Sequence, residues 1–238
     1  THGSRATLAS GKAVYEAANQ TISEMCKRVA KKWQIDPEAV FWDNGYAKPA
    51  GPNAGDFNPI SIKQIASEMD QTGGPIAGHH EASIRGVGHS FGVHIADVEV
   101  DPDTGKITVL RYLVAQDAGR AIHPSYVEGQ FQGGAVQGIG WALNEEYVYG
   151  ADGCLQNAAF LDYRIPVASD LPNIDTVIVE VPNPDHPFGV RGVGETGIAP
   201  PLPALANAVA AATNVRLRSL PMSPAKVLKA IKTGSDGC

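Results

Sequence analysis

Gly92-Val93-His94-Ile95-Ala96-Asp97-Val98-Glu99-Val100, the turn Asp101-Pro102-Asp103-Thr104-Gly105 and the run Lys106 to Gln116 decide the fold class. Two runs rich in β-branched and apolar residues flank Asp, Pro and Gly, so they predict an antiparallel hairpin. In the first run the apolar phase changes, from Val93 and Ile95 to Ala96, Val98 and Val100. Strand side chains alternate between faces, so this change predicts a bulge or a buried backbone contact near Ile95.

Upstream of the hairpin, Val14, Ala17, Ala18, Ile22, Met25, Val29 and Trp33 recur at helical spacing and predict a long helix over 11–33. Residues 35–59 are rich in Pro, Gly, Asn and Asp around one apolar island, Val40-Phe41-Trp42, which reads as a strand in a loop-dominated connection. Ser61 then caps a short helix through Ile62, Ile65, Ala66 and Met69, ended by 71–78. Downstream, Ser125 and Glu128 have capping-box spacing at the start of a helix that runs to Trp141. That helix contains Gly129, Gly133, Gly134, Gly138 and Gly140, a sacrifice of about 4–5 kcal/mol relative to alanine at about 0.8–1 kcal/mol each. A close neighbour must compensate. Tight helix packing accounts for the glycines nearly as well as a ligand does, but leaves Gln130 and Gln137 beside them unexplained. Beyond lie an expected strand over 145–149, mixed structure over 155–164, an expected strand over 174–181, an alanine-rich helix over 202–212, and a last helix capped by Ser223-Pro224. Strand pairs among helices without a βαβ rhythm predict an α+β fold.

The chain has 238 residues, 43% apolar and 18% charged, enough to bury a sizeable core. A net charge of −6 without a basic block gives no electrostatic footprint for nucleic acid or an anionic membrane. No apolar run approaches the roughly 20 residues that span a bilayer. Cys26, Cys154 and Cys238 are too scattered for a zinc or iron–sulfur site and read as reduced, mostly buried thiols of a cytoplasmic protein. His79-His80-Glu81, His89 and His94 lack metal-ligand spacing, so no protein-ligated metal is expected.

Chemistry concentrates in Pro187-Phe188-Gly189-Val190-Arg191-Gly192-Val193-Gly194-Glu195-Thr196-Gly197, one carboxylate among several glycines. An acid on a stiffened loop beside an apolar helix suits a general base. Gly192, Gly194 and Gly197 also match G-x-G-x-x-G, but no strand leads straight into them and no acid stands about twenty residues on, so a nicotinamide-dinucleotide site reads poorly. Gly3-Ser4-Arg5-Ala6-Thr7 precedes the first helix, where free N–H groups suit either a phosphate or an ordinary cap.

Taken together, Gly3-Ser4-Arg5 before Gly11-Lys12-Ala13-Val14, the acidic hairpin 92–105, Asp117-x-Gly119, the glycine-rich helix around Gly129-Gln130, and Gly192-Val193-Gly194-Glu195 resemble the large subunit of molybdenum hydroxylases, the family of xanthine dehydrogenase, aldehyde oxidoreductase and carbon monoxide dehydrogenase. The resemblance spans nearly the whole chain, in order, and implies that residues 1–238 form the C-terminal molybdopterin-binding region, with two lobes allowed. It implies a molybdenum cofactor on molybdopterin, as the cytosine dinucleotide in a bacterial source. Glu195 falls on the family's base, which takes a proton as a metal-activated oxygen attacks an electrophilic carbon of an N-heterocycle, purine or aldehyde. Gly3, Ser4, Arg5 and Ala6 fall on the phosphate cradle, Gln130 and Gly194 on cofactor contacts, and Ile95 on a backbone position lining the cofactor. The N-terminal half of such a subunit is not in this sequence. The expectation is a split large subunit of the nicotinate dehydrogenase kind, with a second chain carrying that half and with iron–sulfur clusters and FAD on further subunits. A non-catalytic assembly module of the same fold is the alternative.

Overall fold

The structure, a computed structural model, describes residues 2–83 and 89–234; Cys238 lies outside them. The chain divides into two compact units, residues 9–85 and residues 1–8 with 86–238. No described helix is long and apolar enough to cross a membrane.

In the unit of residues 9–85, helix α1 spans Gly11–Trp33, as its periodicity predicts, and stops where Gln34 turns left-handed at φ 57°. Met25, Cys26, Val29 and Ala30 form its buried stripe, packed with Val40, Ala47, Ile60 and Ile65. The expected strand is β1, Val40–Asp43. It pairs antiparallel with β2, Tyr46–Pro49, which pairs in turn with β3, Ile60–Ser61. Strand β2 was not foreseen, although Asn44-Gly45 carries the tight-hairpin signal and both residues are left-handed, at φ 48° and 83°. Ser61 caps α2, Ile62–Ser67, through a reciprocal box: its hydroxyl accepts from the Gln64 N–H and Gln64 Oε1 accepts from the Ser61 N–H. A single turn, α3 (Met69–Thr72), follows and ends at Gly73.

The other unit is built on the hairpin. Strands β4, Gly92–Val100, and β5, Ile107–Asp117, pair antiparallel. Strand β6, Ile174–Val179, adds to β5 in parallel, giving the order β4-β5-β6. The bulge expected near Ile95 lies two residues along: the register shifts between Asp97, opposite Arg111, and Val98, opposite Val109, so the extra residue is Leu110 of β5 and β4 itself alternates without interruption. Residues 145–149 form no strand; only Tyr149 bridges to Leu155.

Helix α4 spans Pro124–Leu143, α5 Pro201–Thr213 and α6 Pro224–Thr233. The expected Ser125–Glu128 capping box does not form, because Pro124 already opens the helix and His123 takes the N-cap position. Tyr112 and Val114 on one face of the sheet are sealed against Phe131, Ala135 and Ile139 of α4 and Leu205 and Val209 of α5. Close packing explains part of the glycine-rich helix. A Cβ on Gly138 would lie 2.7 Å from the Ile198 carbonyl oxygen and 2.9 Å from Pro201, and one on Gly134 would lie 3.0 Å from the Gly197 backbone. Gly129 and Gly133 face open space, so packing accounts for some of these glycines and not for others.

Candidate functional site

The glycine loop after β6 is held by a buried ion pair. Asp117, at the end of β5, pairs with Arg191 at 2.9 Å, with side-chain exposures of 7% and 10%. The same carboxylate accepts from the Gly119 and Val181 N–H groups, and Arg191 donates from Nε to the Val181 carbonyl and from Nη1 to that of His89. Gly119 is left-handed and so close to the loop that a Cβ there would meet the Gly189 oxygen at 2.5 Å, a place only glycine fills. A second tie runs through buried His186. Its Nδ1 accepts from the Phe188 N–H, which leaves Nε2 to donate to the Leu8 carbonyl at 3.2 Å. The loop is therefore fixed both to the sheet and to the N-terminal segment.

That segment meets the loop at Glu195. Gly3 and Ser4 are both left-handed and reverse the chain. The Gly3 N–H donates to Glu195 Oε1 at 2.8 Å, and the Glu195 N–H donates to Ser4 Oγ at 3.0 Å. Gly192 presses on Ser4, where an added Cβ would approach the serine Cβ to 2.6 Å. These glycines thus serve close packing between segments nearly 190 residues apart in sequence, rather than the strand-turn-helix of a dinucleotide fingerprint.

Beside this junction opens a cavity of about 700 Å³, within the roughly 300–1,000 Å³ usual for cofactor pockets. Ser4 and Ala6 come from the N-terminal segment, Arg120 and Gln130 from the region around the start of α4, and Arg191 and Gly194 from the glycine loop. Gly129 also lines it, with nothing within 4 Å of where its Cβ would stand. His123 and Tyr126 add a stacked pair to the wall, ring centroids 4.0 Å apart. The structure thus brings Ser4, Ala6, Gln130 and Gly194 of the expected site to one cavity. Gly3 and Glu195 stand next to its lining residues, with Glu195 exposed. Arg5 is exposed and not part of the wall. Ile95 does not line the cavity either: it lies mid-strand opposite Leu113, half exposed. Sequence reasoning missed Asp117, Arg191 and His186 as loop anchors, and Arg120, His123 and Tyr126 as wall; Asp117-x-Gly119 was the available signal.

Residues 1–172 match the molybdopterin cofactor-binding domain. The chain belongs to the molybdenum hydroxylase family. It is 33% identical over 236 residues to subunit gamma of the 6-hydroxypseudooxynicotine dehydrogenase complex of Paenarthrobacter nicotinovorans, covering 94% of this chain and 29% of that one. With the xanthine dehydrogenase molybdenum-binding subunit of Escherichia coli O157:H7 it shares 35% identity over 174 residues, 71% of this chain and 23% of the relative. Quinoline 2-oxidoreductase from Pseudomonas putida 86 has a similar structure, with a TM-score of 0.80 and 26% identity over 98% of this chain and 30% of its own. The molybdopterin-binding chain therefore spans less than a third of the length of these relatives.

The cavity suits such a cofactor. Arginine and serine groups can bind phosphate oxygens, the Gln130 amide can both donate and accept toward a pterin edge, and Gly129 leaves bare backbone on the cavity wall. Among the described residues no cluster of His, Cys, Asp and Glu could hold a metal on its own. Of the thiols, Cys26 is buried, and burial pushes it above its ordinary value. Cys154 is exposed, contrary to the expectation of burial, because it sits in the turn between Tyr149 and Leu155.

Proposed function

We propose that this chain is the cofactor-binding and base-supplying part of a molybdenum hydroxylase that places a water-derived oxygen on an electrophilic carbon of an N-heterocycle, purine or aldehyde. One observation carries the proposal: three segments distant in sequence, 4–7, 118–130 and 190–194, converge on one cavity, and the loop that closes it continues directly into Glu195. When bound, the molybdenum cofactor supplies the two-electron redox chemistry. Ser4, Arg120 and the residues around them hold its phosphate, and Gln130 orients the pterin. As the resemblance implies for a bacterial source, the tail is the cytosine dinucleotide. Glu195 accepts the proton released as oxygen is transferred, and the Gly3 N–H on Oε1 keeps the carboxylate aimed.

Substrate specificity belongs to large-subunit polypeptide outside these residues, with iron–sulfur and flavin subunits carrying electrons away. The same reading places the chain in the cytoplasm, where the exposed thiol of Cys154 would stay reduced. The test is Glu195→Gln in the complete enzyme. Hydroxylation should fall by at least a hundredfold, the order of magnitude general acid–base catalysis supplies, with molybdenum and pterin content unchanged. Unchanged turnover would make the chain an assembly module.

A further inference from the structure

Among the described residues the sheet of β4, β5 and β6 is covered on one face only. On the other face Phe91, Val93, Ile95, Val177 and Val179 are between 41% and 75% exposed, with Leu113 and Ala115 between them on the central strand. A sheet with one wet face alternates apolar inward and polar outward, and parallel strands are ordinarily buried on both faces. Here the outward positions of β4 are apolar up to Ile95 and charged from there on, at Asp97 and Glu99, while the strand itself runs without a bulge. The phase change visible in the sequence thus marks the edge of an apolar patch on this face. The patch joins the site. Arg191 donates to the His89 carbonyl and Ser90 Oγ to that of Asp117, immediately before Phe91.

We infer that this face is the seat of the large-subunit polypeptide that the relatives carry beyond the length matched here. The inference rests on the functional reading above and adds the surface through which the two parts meet. More than two thirds of each relative's chain lies outside the match. In those proteins it is continuous with the matched part and so is at hand to cover an apolar face beside it. A second copy of this chain fits less well, because Asp97, Glu99 and Asp175 rim the patch with only Arg111 among them, and a self-paired face would set acids against acids. Phe91 follows His89 and Ser90, which are tied to Arg191 and Asp117, so polypeptide seated on this face lies beside the anchored glycine loop.

The test uses the protein purified from its own cells with every polypeptide continuous with it or bound to it, in a Cys154→Ser background. Val93→Cys, Ile95→Cys and Val177→Cys should react with a maleimide dye at least tenfold more slowly than Glu99→Cys. Photolysis of Phe91→p-benzoylphenylalanine should give crosslinks to large-subunit sequence outside these 238 residues. Labelling as fast as at Glu99→Cys, or crosslinks to residues 9–85, to a second copy or to an iron–sulfur or flavin subunit, would overturn the inference. Molybdenum and pterin content of the same preparation judges the functional reading separately. Content at background sinks that reading and, with it, the identity of the occupant; full content with an unprotected face sinks the docking surface alone.

Discussion

Gly133→Ala and Gly138→Ala add the same methyl group to the same helix and meet opposite surroundings. At Gly133 the new carbon has nothing within 4 Å; at Gly138 it would stand 2.7 Å from the Ile198 carbonyl oxygen and 2.9 Å from two carbons of the Pro201 ring. None of these neighbours is the end of a flexible side chain, so helix α4 or the segment after Glu195 must shift. Alanine is favoured over glycine inside a helix by about 0.8–1 kcal/mol, and that gain is common to both variants. The difference between them therefore isolates the overpacking at Gly138, about 1–3 kcal/mol. For a chain of this size about 1 kcal/mol moves the melting midpoint by roughly 2–4 °C. Gly133→Ala should melt roughly 2–4 °C above the parent, and Gly138→Ala roughly 2–12 °C below Gly133→Ala, by circular dichroism of the purified protein. Equal midpoints would refute the claim that the helix glycines were selected by distinct neighbours.

Further outcomes follow from the same contacts. Asp117→Asn keeps the acceptor for the Gly119 and Val181 N–H groups but leaves Arg191 buried without its counter-charge; urea unfolding should show a loss of about 3–5 kcal/mol, and a loss below about 1 kcal/mol would show that water reaches the pair. Burial holds the His94 ring below its usual value of about 6.5, and the nearby Gln116 amide offsets this only in part. Neither His94 Nε2 nor Gln116 Oε1 completes a hydrogen bond. The unfolded chain takes up that proton first, so stability should be full above about pH 6.5 and decline below it; His94→Gln should flatten this slope, and an unchanged slope would place the effect elsewhere. Ser61→Ala removes the reciprocal cap of α2 and should destabilise its unit by about 1 kcal/mol, read as a lower thermal midpoint.

Local signals were legible where the physics is local. The 3.6-residue period placed α1, although a π-helical stretch, Ala6–Ser10, leads into it; turn chemistry placed the hairpin 92–117, and Ser61 marked a helix start. Ser125 and Glu128 show the limit of such signals: the spacing was right, but Pro124 had already begun the helix. Glu195 stood out from its own loop before the resemblance added Ser4, Ala6, Gln130 and Gly194, and those four line one cavity. Ile95 does not, and its apolar side chain belongs to an open sheet face.

By itself the sequence determined the long helices, the hairpin 92–117, the α+β class and the residue types capable of the chemistry, because capping, periodicity and turn preference act within a few residues. Only the tertiary structure decided that β6 joins β5 in parallel, that Asp117 pins the loop through Arg191, and that Gly3 and Ser4 reach Glu195. Those arrangements depend on burial and hydrogen bonding between groups tens to nearly two hundred residues apart, and no local preference encodes which distant partner a buried charge or a bare backbone will meet.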